Sequence, residues 1–142
     1  MSEVASEAIA FQERLTNLTG AMIQASGDTS RRIAFVARVK VDRLEEYKEH
    51  HKKVWPEMLD ALRNAGWRNY SLFLKEDDGT LFGYFEGPDG LTFEEARERV
   101  AATDINTKWQ EFMAPFFEPL GGKTSDRPDL MLQELQHVFY LA

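Results

Sequence analysis

A tyrosine and a histidine four positions apart are the first residues in this sequence that could do chemistry together. Tyr47 and His51 lie in a segment whose apolar residues recur every three or four positions. That spacing predicts a helix and makes the two side chains neighbours on one face. An imidazole titrates near neutral pH, so the pair predicts acid–base chemistry beside a hydrogen-bonding aromatic ring. The same spacing also occurs in ordinary helix cores, and both interpretations stay open.

The sequence breaks a local rule directly after this pair. Pro56 interrupts the helical periodicity next to Trp55. Proline in a helix interior removes a hydrogen bond and clashes with the preceding turn, at a cost of about 3 kcal/mol. Such breaks mark functional sites, and they also occur where a kinked helix packs an aromatic residue into the core. We expect the helix to break near Val54–Trp55 and to resume until Gly66.

Two further aromatic residues are candidates for a binding pocket. Trp109 lies on a predicted late helix, and Tyr70 follows Asn69 at the start of a predicted strand. Aromatic faces suit the apolar C–H faces of sugars, with polar groups around the rim. The ordinary alternatives are a core tryptophan and a strand-edge tyrosine.

Composition and charge exclude several classes of function. The chain has 142 residues, a net charge of −7 and no cysteine, so disulfides and thiolate sites are excluded. Its acidic balance, without a basic stripe, disfavours nucleic acid and anionic membranes. The histidines do not have the spacing of a zinc hydrolase, and no Gly-rich phosphate loop or glycosidase-like pair of acids is present. We expect a neutral small-molecule ligand, no metal and no cofactor, and a cytoplasmic protein without a signal peptide or membrane span.

The periodicities predict a small α+β domain. Strands are expected at 33–41, 70–75, 81–86 and 131–141, with helices between them that Asp42, Thr92 and Asp104 can cap and a long loop over 118–130. This is the ferredoxin-like βαββαβ order, an antiparallel sheet with helices on one face. Residues 1–30 are interpreted as an N-terminal extension, partly disordered, and residues 31–142 as the domain. Apolar residues on both faces of the first and third strands predict a homodimer.

Five further segments occur in a fixed order along the chain: Glu46-Tyr47-Lys48-Glu49-His50-His51, Val54-Trp55-Pro56-Glu57, Asn69-Tyr70, Thr103-Asp104 with Trp109, and the final stretch from Glu134 to Ala142. Taken together in this order, they resemble the L-rhamnose mutarotase family. The resemblance covers residues 31–142 and implies a dimeric α/β-barrel type assembly. It also implies exchange between the α and β pyranose anomers of L-rhamnose, an isomerase reaction that needs no cofactor.

The resemblance also implies roles for individual residues. His51 falls at the family's acid position, and Tyr47, Tyr70 and Trp109 fall at sugar-contacting positions. Members of the family carry a second Trp after the one that matches Trp109, whereas this chain has Gln110 there. Gln110 is therefore expected to contact the sugar differently, which leaves the sugar preference open. The second proton-transfer group is also open, with Tyr47 or a water as candidates.

Two other functions fit the same strand order. One is a cofactor-independent monooxygenase or haem-degrading enzyme of the dimeric α/β-barrel type, for which a histidine on the first helix would be suitable. The other is a sugar-binding module that does not accelerate anomer exchange. A fold alone does not separate these functions, so the family resemblance decides the order of preference.

Overall fold

An antiparallel sheet is the base on which the other elements are arranged. The computed structural model describes residues 31–121 and 124–142. Its strands are β1 (Arg31–Val39), β2 (Arg68–Lys75), β3 (Thr80–Gly87), β4 (Phe117–Glu118) and β5 (Gln133–Leu135). Its helices are α1 (Leu44–His51), α2 (Pro56–Asn64), α3 (Phe93–Ala101) and α4 (Asp104–Met113), with 3-10 turns at Val41–Arg43, Ala114–Phe116 and Pro128–Leu130.

The sheet has the ferredoxin-like strand order that the sequence predicts. β1 lies in the centre and pairs antiparallel with β3, which pairs antiparallel with β2. The other edge of β1 is shared by β4, opposite Arg38 and Val39, and by β5, opposite Ala34 to Val36. The element order is strand, broken helix, two strands, two helices and closing strands, which confirms the predicted α+β class.

Alternation along β1 divides the sheet into two faces. Ile33, Phe35, Ala37 and Val39 are buried, and the residues between them are half-buried. The buried face packs with the helices in one hydrophobic core, to which Tyr47, Met58, Trp67, Phe85 and Trp109 also belong. The helices pack against the buried face, and the opposite face of the sheet is called the outer face here.

The predicted break in the first helix is confirmed. α1 ends at His51, and Pro56 is the first residue of α2, a position where its missing N–H costs nothing and its fixed φ suits the helix. The four residues between α1 and α2 are outside both helices, so Pro56 does not lie in a helix interior. Gly66 follows the end of α2 with a φ of 97°, the left-handed conformation expected of a glycine terminator.

Capping was predicted correctly at one of three positions. Thr92 forms a reciprocal capping box with Glu95 at the start of α3. The prediction for Asp104 is wrong, because Thr103 is the cap and accepts from the backbone N–H of Asn106. The prediction for Asp42 is also wrong, since that residue lies inside the 3-10 turn that precedes α1.

The predicted closing strand is much too long. Only Gln133–Leu135 pairs with β1, in a register that sets Leu135 opposite Ala34. Alternation of apolar residues does not show whether a sheet edge is available, and only three described residues of β1 precede Ala34. Residues 31–121 and 124–137 belong to one compact unit, and residues 138–142 belong to another and have no regular secondary structure.

The predictions of an N-terminal extension, of no membrane span and of a cytoplasmic location are only partly covered by the described residues. The interpretation of residues 1–30 as an extension falls outside the described residues. Within 31–121 and 124–142, no helix is long and apolar enough to cross a membrane. The cytoplasmic location stays a prediction from the sequence.

The contact between Phe35 and Gly83 tests how tightly the sheet and helices are packed. The two residues are cross-strand partners, and Phe35 is only 1% exposed. A Cβ atom added to Gly83 would lie 2.1 Å from Cζ of Phe35. Gly83→Ala should therefore lower the free energy of unfolding by about 1–3 kcal/mol, the usual cost of overpacking. Denaturant unfolding measures this, and Phe35→Leu in the same chain should recover part of the loss. Simple additivity of the two substitutions would contradict the proposed contact.

Candidate active site

A cavity of about 400 Å³ is lined by side chains from α1, α2, β2, α3 and α4 and from the segment around Asp129. A recess of about 80 Å³ shares several lining residues with it and extends towards Tyr47 and Phe35. Both spaces are lined by His51, Tyr70, Leu72, Trp109, Gln110, Asp129 and Leu132. Four of the five residues predicted to form a site therefore line the main cavity, and Tyr47 lines the adjoining recess.

His51 is the last residue of α1, and its imidazole is fixed by the backbone. Nδ1 lies 3.0 Å from the carbonyl oxygen of Tyr47. Since a carbonyl oxygen can only accept, Nδ1 carries the hydrogen of this bond, and Nε2 is left for a ligand. Burial lowers the pKa of His51, and the hydrogen bond to the Tyr47 carbonyl opposes this effect only in part. The site thus contains an imidazole that is neutral at pH 7 with a lone pair on Nε2.

Tyr47 supports the imidazole from one side. The two ring centroids are 4.2 Å apart, and the tyrosine is only 4% exposed. Burial raises the pKa of the Tyr47 phenol well above its ordinary value. The hydroxyl therefore keeps its proton at neutral pH and can donate a hydrogen bond, but it is a poor candidate for a general base.

Trp109 supports the imidazole from another side. The Trp109 indole meets the His51 ring edge-on, with centroids 5.6 Å apart. Trp55 in turn meets the Trp109 indole edge-on, with centroids 4.9 Å apart. Trp55 is half-buried, packs against the core and does not line the cavity. The break before Pro56 is therefore linked to the site indirectly, because Trp55 contacts Trp109 and Trp109 contacts His51.

Tyr70 is directed by a bulge in the edge strand. Arg68 pairs with Glu86 and Ser71 with Tyr84, so two residues, Asn69 and Tyr70, lie opposite one. Asn69 has a φ of 51°, a left-handed conformation that asparagine tolerates better than most residues. Here the strain is tied to a bulge that changes the direction of the neighbouring side chains.

The bulge brings two aromatic rings to the cavity. Trp67 stacks on Phe85 with centroids 3.7 Å apart, and Tyr70 meets Trp67 edge-on at 4.9 Å. The apolar surroundings raise the pKa of Tyr70 above its ordinary value, although the residue is 36% exposed. Tyr70 can therefore donate from the cavity wall at neutral pH.

Gln110 belongs to a buried polar network that the sequence analysis largely missed. Its side chain bonds Asn106 at 3.0 Å and the backbone N–H of Asp129 at 3.0 Å, and Asn106 bonds the Asp129 carboxylate at 3.1 Å. Arg127 pairs with the same carboxylate through two N–H groups. A signal for two of these residues was present, since Asn106 and Gln110 share the buried stripe of α4 with Trp109 and Met113. Asp129 lies beyond a loop, where periodicity carries no information.

His50 lies elsewhere, as the helical geometry predicts. Its ring contacts Phe112 at 4.6 Å and Phe116 at 5.3 Å, and it does not line the cavity.

Among residues 31–121 and 124–142, no group of three or more histidines, aspartates or glutamates is placed to hold a metal ion. The site thus combines one available imidazole nitrogen, aromatic rings and a wall of amide groups, which suits a neutral ligand with both C–H faces and hydroxyls.

The position of His51 predicts how it titrates. Because burial favours the neutral form, its imidazole should titrate below the ordinary value of 6.5. The neutral imidazole then favours folding above that pH, and this contribution is lost as the pH falls. NMR titration of the ring proton, assigned with His51→Gln, measures the midpoint. A midpoint at or above 6.5 would contradict this account of the site.

Known proteins are similar to this chain over most of its length. A family model described as L-rhamnose mutarotase matches residues 32–141. An L-rhamnose mutarotase from Shouchella clausii is 40% identical over 78% of this chain and 98% of its own length, and one from Bacillus subtilis is 38% identical over the same shares. The crystal structure of an L-rhamnose mutarotase from Formosa agariphila superposes with a TM-score of 0.63 at 30% identity, covering 80% of this chain and all of its own. The chain belongs to the L-rhamnose mutarotase family.

Proposed function

We propose that this protein is an isomerase that interconverts the α and β pyranose anomers of L-rhamnose. The observation that carries the proposal is the single available nitrogen of His51, Nε2, held at a cavity that aliphatic, aromatic and amide side chains line together with Arg97 and Asp129. Membership of the L-rhamnose mutarotase family supports the same reaction and the same sugar.

The reaction needs one group that takes a proton and returns it. In ring opening, the anomeric hydroxyl loses its proton, the C1–O5 bond breaks, C1 becomes an aldehyde and O5 gains a proton. Rotation about C1–C2 and closure by the reverse steps give the other anomer, with no redox change and no leaving group. Nε2 of His51 can accept the first proton as a base and return it as an acid. Its lowered pKa means that it starts as the base.

The other predicted residues have binding roles in this proposal. Trp109, edge-on to His51, offers an aromatic surface for a C–H face of the sugar. Tyr70 and Gln110, which line the cavity, provide hydrogen-bonding groups for hydroxyls. Tyr47 keeps its proton and supports the imidazole. The proton that O5 gains is then the one that Nε2 of His51 took from the anomeric hydroxyl.

Saturation-transfer NMR on L-rhamnose tests the reaction and the role of His51 together. The wild-type protein should accelerate exchange between the anomers, with or without a chelator. His51→Ala should lose most of this, about 10²–10⁴-fold, the typical contribution of general acid–base catalysis. The variant should keep its fold and its affinity for the sugar, because the imidazole lies at the cavity and not in the centre of the core.

His50→Ala is the matched control for this experiment. It removes the neighbouring histidine from contacts with Phe112 and Phe116, outside the cavity, and should leave exchange unchanged even if the melting temperature falls. Exchange at the buffer rate with wild-type protein would refute the proposed function. A greater loss in His50→Ala than in His51→Ala would refute the assignment of the catalytic residue.

We also propose that a second copy of the chain covers the outer face of the sheet, as in a dimeric α/β barrel. Phe73 and Phe82 are cross-strand partners on this face and are 63% and 40% exposed, and Val36 is the next partner in the same row. An apolar row across three strands is the kind of surface that association covers.

Sedimentation at micromolar concentration should give a species of twice the 16.4 kDa chain mass. Phe73→Asp should shift it towards the monomer, since a charge would be buried at the interface. Val41→Asp is the control, because Val41 is 53% exposed in the 3-10 turn before α1 and lies off the sheet. Monomeric wild-type protein, or equal effects of the two substitutions, would contradict the proposed dimer.

A further inference from the structure

We propose that Gln110 is a specificity-determining residue that reads one ring hydroxyl of the sugar, and that Asn106, Asp129 and Arg127 are positioning residues that hold its amide in a single orientation. The proposal rests on the function proposed above and adds to it which wall of the cavity distinguishes one sugar from another.

The direction of every hydrogen bond in this network is determined by its two ends. At one end, the backbone N–H of Asp129 can only donate, so the atom of Gln110 that it meets at 3.0 Å must be the oxygen. Nε2 of Gln110 then donates to Oδ1 of Asn106, which turns Nδ2 of Asn106 towards the Asp129 carboxylate. At the other end, that carboxylate only accepts. Rotating the amide of Gln110 or Asn106 by 180° would place two donors or two acceptors against each other.

Arg127 fixes the accepting end of the network. Its Nε lies 3.2 Å from one carboxylate oxygen of Asp129 and its Nη2 lies 2.9 Å from the other. A two-point contact of this kind holds the plane of the carboxylate as well as its position. The carboxylate side chain is only 10% exposed and that of Arg127 is 29% exposed, so solvent screens the pair only in part. The pairing raises the pKa of Arg127.

The network leaves hydrogen-bonding capacity on the wall of the cavity. Each amide NH₂ has two hydrogens and each amide oxygen two lone pairs. Gln110 uses one hydrogen within the network and accepts one bond from Asp129, so one N–H and one lone pair remain. Gln110, Asn106 and Asp129 all line the cavity that holds His51. A donor and an acceptor of fixed direction beside a catalytic imidazole match a sugar hydroxyl, which both donates and accepts.

The remaining walls explain why this position would decide specificity. Val54, Met58, Leu59, Leu62 and Leu132 give the cavity an apolar lining that suits the methyl group and C–H bonds of a deoxy sugar. Apolar contacts discriminate weakly between sugars, whereas a polar group left without its partner costs considerably more. An amide wall therefore rejects a sugar that lacks the hydroxyl it reads.

The test pairs a side-chain deletion with hydroxyl deletions in the sugar. Exchange rates are measured for wild type and Gln110→Leu on L-rhamnose and on its 2-deoxy, 3-deoxy and 4-deoxy analogues, each corrected for the rate in buffer. Gln110→Leu should lower kcat/KM on L-rhamnose about tenfold, as expected for one lost hydrogen bond. On the one analogue that lacks the hydroxyl read by Gln110, wild type and variant should be equal. Comparing the proteins on the same sugar cancels differences in the intrinsic rates of the analogues.

Two further variants keep the test independent of folding. Gln110→Glu keeps the size of the side chain but puts an oxygen against Oδ1 of Asn106, and it should lose the same discrimination. Asp129→Asn should reduce discrimination between L-rhamnose and that analogue through the loss of the Arg127 pairing, and Arg127→Lys should do so partly. Melting temperatures and ligand-observed NMR affinities are measured for every protein on the same four sugars.

Each result supports or overturns the proposal. If Gln110→Leu lowers the melting temperature and slows exchange of all four sugars by one common factor, the network is only a structural tie between α4 and the Pro128–Leu130 turn, and the inference is wrong. If wild-type protein exchanges none of the sugars, the proposed function fails. The affinities then decide the inference by themselves, because a reading role still predicts one analogue on which wild type and Gln110→Leu bind equally.

Discussion

The hydrogen bond from Nδ1 of His51 to the carbonyl oxygen of Tyr47 is the contact on which the site depends. It selects the tautomer with a lone pair on Nε2, and it holds the ring against Tyr47 and Trp109. It needs the two residues to be one helical turn apart and near the end of a helix, so that the ring reaches a cavity. The end of α1 at His51 and the new start at Pro56 meet both needs.

The core around this contact is built from aromatic rings that also form the cavity. Trp67 stacks on Phe85, Tyr70 meets Trp67 edge-on, and Phe35 lies over Gly83, where no side chain stands in its way. The same residues therefore pack the core and line the cavity, and the polar groups among them are desolvated. Burial lowers the pKa of His51 and raises those of Tyr47 and Tyr70, so one group is ready to accept a proton while two remain donors.

Local sequence rules predicted the elements well where local physics determines them. The break at Pro56 follows from the proline ring, the end of α2 follows from Gly66, and the box at Thr92 follows from the Glu three residues later. The cap predictions for Asp42 and Asp104 failed by one or two positions within the same local rules. The prediction of the closing strand failed because its length depends on a partner elsewhere in the chain. The closing strand is short because pairing depends on the free edge of β1, and alternation in the sequence does not show that edge.

The sequence by itself determined the order of elements, the helical face that carries Tyr47 and His51, and the resemblance that indicates the reaction. These follow from spacing along the chain, which is a local property. Only the tertiary structure decided that Tyr70 and Gln110 line the same cavity as His51, that Trp55 packs edge-on against Trp109, and that Asp129 reaches Gln110 across 19 positions. Those contacts depend on the relative positions of a bulge, two helices and a loop. Packing of the whole core fixes these positions, and spacing along the chain does not.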